Sequence, residues 1–421
     1  MTVTTPPVAL PRHARPAPSS RTVIATLLGT TLVLKGAGFA FDYLGYYVGT
    51  AHGTTAAGIC LTAFGIGWCI GQAVCGAMTD RMGQRTVLPL WLVASAAACV
   101  SLAVVNVLPA VIAIAFCLGC TMEVQRPAVS AEINERITSE AGRTRVQSWM
   151  YWMANVGVAL SGAVGGYVAH EHGYRILFLL NGVACLAAAV IARRVLSPRP
   201  THMSSGAASV AYRQVLSDPA LRWIAVAAVG AMISAYGLVS VLPLVMSADG
   251  LPPTALGTAM IANTVAVLVL SPPLTRLLVG RNESIRYPLA PILAAGSLIL
   301  GASMGLAALQ HTVLGYAVAA VLMVPGEVCF SVALGGFLAT AAPAGAIGRY
   351  QAVLSGASAL ASLTPLGIAL ALNAGGRLLV AALLMGTAVL AAWACVPLAR
   401  ILRTRPRPIT AVPVGDTPSR P

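Results

Sequence analysis

Long apolar segments recur along the whole chain, and they limit its possible folds more than any other feature. Of its 421 residues, 57% are hydrophobic and only 9% are charged, whereas about a quarter are charged in a typical soluble domain. An apolar segment of about 20 residues can cross the hydrocarbon core of a bilayer as a helix. Such segments predict an all-α membrane protein with twelve transmembrane helices. The predicted spans are 22–48, 55–78, 86–107, 109–131, 146–169, 174–192, 222–246, 254–270, 287–309, 312–341, 349–372 and 377–398.

Basic residues are concentrated in one of the two sets of loops, which accounts for the net charge of +14. Of the 26 basic residues, 22 lie in the tails or in loops after even-numbered spans, counting Arg222 and Arg349 at the edges of their spans. The opposite loops contain only Arg175 and Arg377. Basic loops remain on the cytoplasmic side of a membrane. We therefore expect a multi-pass protein of the cell membrane with both termini in the cytoplasm, and no nucleic-acid partner.

The longest polar connection divides the spans six and six. We expect a cytoplasmic tail at 1–21, a six-helix bundle at 22–192, a linker at 193–221, a second bundle at 222–399 and a cytoplasmic tail at 400–421. The apolar segment after the first tail is too long for a cleavable signal peptide, so the first span is expected to be permanent.

The loop between the second and third spans carries a motif with regular spacing. Gly76, Asp80, Arg81, Gly83 and Arg85 follow the pattern Gly-x3-Asp-Arg-x-Gly-x-Arg. The pattern and its place after the second span resemble the loop motif of the major facilitator superfamily. This resemblance implies two pseudo-symmetric six-helix bundles, and it implies that the five residues act as a conformational latch.

Two runs within the spans are similar to the twelve-helix drug:proton antiporter group of that family. Pro325-Gly326-Glu327 in span 10 resembles a pattern of drug-exporting members. Span 5 resembles the antiporter motif, although Ser161-Gly162 stands where Gly-Pro belongs, and Pro365 offers a bend in span 11 instead. The resemblance favours proton-coupled efflux of a small amphipathic molecule, such as a drug or secondary metabolite.

Two other functions remain open at this point. Proton-coupled uptake of a small metabolite, such as a sugar or organic acid, uses the same fold. A membrane-embedded transferase is a more remote alternative, because such enzymes need clustered carboxylates for metal and diphosphate and the sequence has none. No Gly-Lys-Ser/Thr nucleotide loop occurs either. We expect a transporter and not an enzyme.

Five ionisable residues fall within predicted spans, where such side chains are costly unless paired or hydrated. The resemblance places spans 1, 4, 7 and 10 around a central cavity, and all five residues lie on spans 1, 4 and 10. A rise of ~1.5 Å per residue puts Lys35 and Glu327 at similar depth, so we predict that they face each other across the cavity. The five are the acids Asp42, Glu123 and Glu327 and the bases Lys35 and Arg126.

Glu327 is predicted to be the proton-coupling acid, with Asp42 and Glu123 as alternates and Lys35 and Arg126 as charge partners. Each assignment has an alternative. Glu327 could form a structural salt bridge, Arg126 could extend to the cytoplasmic surface, and Asp42 could lie solvated at the outer interface. Glu123 and Arg126 are three residues apart and can pair on one helical face.

Candidates for the substrate cavity are mostly aromatic, and lipid contact or packing between the bundles is the alternative for each. They are Phe39, Phe41, Tyr43, Tyr46, Asn155, Met232 and Tyr236. The nine cysteines all lie in predicted spans without metal-ligand spacing, so neither a metal nor another cofactor is expected. The expected partners are a small-molecule substrate, protons and the lipid bilayer, with the monomer as the functional unit.

Overall fold

The computed structural model describes residues 20–122, 133, 136–137, 139–196, 215–280, 285–343 and 346–404. Nearly all of this part of the chain is helical, and its one extended feature is an isolated bridge between Val279 and Ile285. We label the spans α1 to α12 and mark the halves of broken spans a and b. In the first half these are α1a Ser20–Gly36, α1b Phe39–His52, α2 Thr54–Met82, α3 Gln84–Val104, α4 Leu108–Cys120, α5 Glu140–His172 and α6 Tyr174–Val195.

The second half repeats this organisation. Its helices are α7a Pro219–Ala235, α7b Gly237–Ser240 with Leu242–Ala248, α8 Pro253–Leu278, α9 Leu289–Leu309, α10a Val313–Leu322, α10b Val324–Ala341, α11a Ile347–Ala361, and the merged helix Pro365–Thr404. The merged helix is interrupted at Gly376, whose φ is 65°, and we divide it there into α11b and α12.

The described helices account for the twelve predicted spans. Nine continuous helical segments in the described part of the chain are long and apolar enough to cross a membrane, and the two parts of α7 together form a tenth. One of the nine, covering 349–404, contains both α11 and α12, and the short helix α4 is the remaining span. The predicted fold class is therefore confirmed.

Several spans are broken near their middle. α1 is interrupted at Ala37 and Gly38, and α7 bends by 43°. α10 breaks at Met323, just before Pro325, and α11 breaks over 362–364, just before Pro365. A proline inside a helix removes one backbone hydrogen bond and clashes with the preceding turn, which explains the breaks in α10 and α11. The bend offered by Pro365 is thus present.

The two halves pack against each other along two antiparallel helix pairs. In the pair α5–α8, a Cβ added at Gly257 would lie 2.3 Å from the carbonyl oxygen of Gly162, so the backbones nearly touch. In the pair α2–α11, the Thr62 hydroxyl accepts a 3.0 Å hydrogen bond from the Leu366 amide. These contacts join residues more than 90 positions apart, and they define the interface between the halves.

The halves also meet at the distal end, which we define as the end of the bundle away from residues 20 and 404. Tyr46 of α1b donates hydrogen bonds to the carbonyls of Leu251 and Pro252, in the turn between α7 and α8. The Thr54 hydroxyl donates a 2.9 Å hydrogen bond to the Asn373 side chain. In this conformation the two halves are therefore in contact at the distal end.

Candidate functional site

Asp42 lies in the first turn of α1b, directly after the break in span 1. Only 4% of the residue is exposed, so the alternative of a solvated side chain at the outer interface is wrong. Ser161 of α5 donates a hydrogen bond to its carboxylate, and Lys35, in the last turn of α1a, acts on it electrostatically. An acid at a helix N-terminus and a base at a C-terminus both complement the helix dipoles. The break thus stabilises both charges inside the bundle.

Glu327 occupies the equivalent setting in the second half, in the first turn of α10b after the break at Met323. The side-chain amide of Asn263 on α8 lies close enough to the Glu327 carboxylate to act on it as a donor. The same amide donates to the carbonyl of Ala320 at 3.0 Å, which fixes the amide between the two parts of α10. Glu327 therefore has a positioned neutral donor beside it.

The predicted pairing of Lys35 with Glu327 is wrong for this conformation. The ion pairs between described residues include those of Asp249 with Arg377 and, at 3.5 Å, with His311, and none joins Lys35 to Glu327. Lys35 instead lies close enough to Asp42 to act on it, two turns along the same span. The depth argument failed because the broken helix directs the side chains on its two sides independently.

Tyr151 on α5 belongs to the first half of the protein, and its phenol lies within electrostatic range of the Glu327 carboxylate in the second half. The Asn155 side chain stands next to it, and its amide donates to the Tyr151 carbonyl at 2.9 Å. Tyr151 was not among the predicted site residues, because its run of neighbouring tryptophans is typical of a membrane interface. Asn155 was predicted, and it lies beside Tyr151.

The predicted cavity aromatics divide into two groups. Tyr43 and Tyr46 are fully buried and belong to contacts between helices, since the Tyr43 hydroxyl donates to the Gly162 carbonyl at 2.8 Å. Phe39 is also buried, with 4% exposed. Phe41 instead borders a pocket inside the first half and packs on Phe64 with ring centroids 5.4 Å apart.

The two candidates on α7 differ in the half of the protein that they contact. Tyr236 makes a T-shaped contact with Trp68 of α2, with ring centroids 5.5 Å apart. The Met232 sulfur accepts a 3.4 Å hydrogen bond from Ser358 of α11a. Tyr236 thus connects the two halves, whereas Met232 packs within the second.

The loop motif forms the junction of α2 and α3. Gly83 has φ 75°, a conformation that favours glycine, and this allows the sharp reversal. The Arg85 guanidinium donates to the Arg193 carbonyl at 3.1 Å, and Arg81 is exposed. Glu123 and Arg126 lie outside the described residues, and the surroundings of Gly76 and of the Asp80 side chain are not described either. The roles of these four residues therefore stay predictions.

The family model of the Major Facilitator Superfamily matches residues 23–365. Solved structures share the fold. A peptide transporter POT in complex with sulfate is 15% identical, has a TM-score of 0.71, and covers 91% of this chain and 94% of its own. A bacterial homolog to the human lysosomal transporter Spinster, in an inward-facing and occupied conformation, is 14% identical, has a TM-score of 0.69, and covers 92% and 97%. At such identities the likeness concerns the fold alone. Because the family model spans most of the chain, this protein belongs to the Major Facilitator Superfamily and is a membrane transporter, not an enzyme.

Proposed function

We propose that this transporter exports a small amphipathic molecule in exchange for protons, by alternating access between its two halves. The observation that carries this proposal is the setting of Glu327. Its carboxylate lies in a membrane span, has the Asn263 amide and no basic side chain beside it among the described residues, and lies within electrostatic range of Tyr151 of the other half. An ionised carboxylate in a membrane span is costly unless it acquires a partner. A proton or a cationic group of the substrate is such a partner.

Competition for Glu327 couples the two flows. A bound proton neutralises the carboxylate, whereas loss of the proton restores a charge that attracts a cationic or polar substrate. Because Glu327 and Tyr151 come from opposite halves, a change in its charge alters the contact between the halves. Proton and substrate then use the same site alternately, and the result is exchange.

Asp42 is the alternate coupling acid. It is more deeply buried, and the Ser161 hydroxyl and Lys35 lie around it within the first half. That arrangement suits an acid with a permanent compensating charge. We therefore rank Asp42 after Glu327, and Glu123 remains a further alternate with Arg126 as its partner.

The test is transport of ethidium, a lipophilic cation, by purified protein in liposomes with an imposed pH gradient. We expect Glu327→Gln to reduce uphill accumulation to the level of protein-free liposomes, because the amide cannot bind and release a proton. Downhill counterflow of ethidium should persist, since the amide keeps the shape of the side chain. Loss of coupling without loss of movement identifies a coupling residue.

Glu171→Gln is the matched control, because Glu171 is an exposed acid near the distal end of α5. This variant should accumulate ethidium like the unmodified protein. Intact pH-driven accumulation in Glu327→Gln would exclude Glu327 from the mechanism. If Asp42→Asn alone removed the coupling, the role would pass to Asp42.

Proton-coupled uptake of a small metabolite is the second candidate. The similar solved structures include peptide transporters, and the fold serves either direction. Counterflow in vesicles of known orientation separates the two, because export and uptake accumulate substrate on opposite sides. We also propose that the protein works as a monomer in the cell membrane, with both termini in the cytoplasm.

A further inference from the structure

A pocket of about 110 Å³ lies inside the first half, where α1 is broken, and coupling through Glu327 does not use it. Its walls come from helices of the first half only, so it is distinct from the contact between Glu327 and Tyr151. Its apolar wall includes Phe41, Phe64 and Leu118. Its polar wall consists of Lys35, Asp42, Trp91, Ser95, Thr121 and Asn181.

Two hydrogen-bond donors of the polar wall have no oxygen acceptor among the described residues. The indole nitrogen of Trp91 is buried and has no hydrogen-bond partner among the described residues. The Asn181 carbonyl already accepts a 2.9 Å bond from the Ala40 amide, while its NH2 group faces only the Cys185 sulfur at 3.5 Å. A buried donor without an acceptor is costly, because it has lost its hydrogen bond to water. A ligand that supplies an acceptor would recover this free energy.

The charges of the pocket compensate each other. Lys35 and Asp42 both line it and attract one another. Among the described residues, those from α2 to α6 that line the pocket are uncharged. A ligand with a net charge would upset this balance in a low-dielectric setting, where an uncompensated charge is expensive. The pocket therefore suits an uncharged group.

We propose that this pocket binds an uncharged carbonyl group, which accepts a hydrogen bond from the Trp91 indole. The proposal rests on the transport of an amphipathic molecule, whose polar end the pocket receives while its apolar part lies along Phe41 and Phe64. It predicts that the preferred substrates carry an amide, ester or ketone at one end, whereas ethidium, which has none, tests only the coupling at Glu327. Charged headgroups are excluded from this pocket.

The test uses protein labelled with 15N-tryptophan in lipid nanodiscs, which should give six indole N–H resonances for the six tryptophans. Trp91→Phe identifies the resonance of interest. If that variant does not fold, the five other Trp→Phe variants identify it by elimination. N-methylacetamide is the uncharged probe, and ethylammonium and acetate are charged probes of similar size. We expect a saturable downfield shift of the Trp91 resonance with N-methylacetamide only.

Ser95→Leu, which fills the pocket, should abolish that shift, whereas Ser101→Leu on the same helix but outside the pocket should preserve it. The idea fails if N-methylacetamide gives no saturable shift, which would leave water as the occupant. It also fails if a charged probe gives an equal shift or if the shift survives in Ser95→Leu. The NMR titration measures binding and not transport. The pocket proposal can therefore fail while the ethidium assay succeeds, and the ethidium assay can fail while the pocket proposal holds.

Discussion

Single glycines on α2 and α4 allow the backbones of these helices to touch. A Cβ added at Gly67 would lie 2.1 Å from the carbonyl oxygen of Phe116, and one at Gly71 would lie 2.0 Å from that of Cys120. The converse holds at Gly119, where the added Cβ would lie 2.0 Å from the Phe64 oxygen. Close approach of this kind holds membrane helices together through van der Waals contact.

Gly67→Val should therefore destabilise the first half, because the helices must separate or distort to admit the side chain. Overpacking of this kind costs about 1–3 kcal/mol or more, and we expect a clear fall in the thermal unfolding midpoint of the purified protein. Gly386→Ala is the control. An added Cβ there meets no atom within 4 Å, and alanine favours helix over glycine by about 1 kcal/mol. Equal midpoints for the two variants would contradict this account of α2 and α4.

The acids of the candidate site could be predicted from the sequence, but the residues around them could not. Glu327 and Asp42 were found because ionisable groups are rare in apolar spans. Their partners Ser161 and Asn263 were not, because a serine or asparagine in a span carries no signal that distinguishes a carboxylate partner from a packing residue. Tyr151 was missed since a tyrosine near a span end usually marks the membrane surface.

Arg377, at the start of α12, connects several elements of the second half. Its guanidinium donates to the Tyr316 hydroxyl at 3.0 Å and forms an ion pair with Asp249 at the end of α7b. It also donates to the backbone carbonyls of Val245, Ala308 and Gln310. Since only 15% of its side chain is exposed, Arg377 acts as a buried clamp of α7, α10 and α12. The sequence indicated only its side of the membrane, because its acceptors are mostly backbone groups distant in the chain.

Arg377→Met should destabilise the protein by about 3 kcal/mol, because removal of one partner leaves the other charge buried and unpaired. Arg377→Lys should recover part of the loss, since an ammonium cannot reproduce the fork of guanidinium donors. Thermal unfolding followed by fluorescence measures both. Arg175→Met removes the other distal arginine, which is exposed, and should change little. A wild-type midpoint for Arg377→Met would show that the clamp does not contribute to stability.

Helix positions were predictable to within a few residues for most spans, whereas helix breaks were predictable only where a proline marks them. Hydropathy records where a segment is apolar, and all twelve predicted spans correspond to helices. Hydropathy does not show where a helix bends or breaks. Span 1 was treated as one straight helix, although Gly38 interrupts it, and on a straight helix Asp42 could lie either in the cavity or at the outer interface. Prolines marked the breaks in α10 and α11, but the break in α1 has no comparable signal.

At the scale of the whole molecule, the contacts of the distal end indicate which part must open during transport. Gly257 lies against Gly162 where α8 meets α5, and a hydrogen bond joins Thr54 to Asn373 where α2 meets α11. Alternating access requires that these contacts separate in the other state while contacts at the opposite end form. A side chain that wedges α5 from α8 should therefore also loosen the contact between α2 and α11, although the two pairs share no residue.

Gly257→Trp tests this coupling, because even a Cβ at this position would lie 2.3 Å from the Gly162 oxygen. In a background without the native cysteines, Thr54→Cys and Asn373→Cys should form a disulfide readily. In the native protein the Thr54 hydroxyl oxygen lies 2.9 Å from the Asn373 side-chain oxygen. Adding Gly257→Trp should strongly reduce this cross-linking and abolish transport, while gel filtration shows a folded protein. Gly386→Trp, in open surroundings on α12, should leave both unchanged. Undiminished cross-linking in Gly257→Trp would mean that the two helix pairs separate independently, and the halves would then not move as rigid bodies.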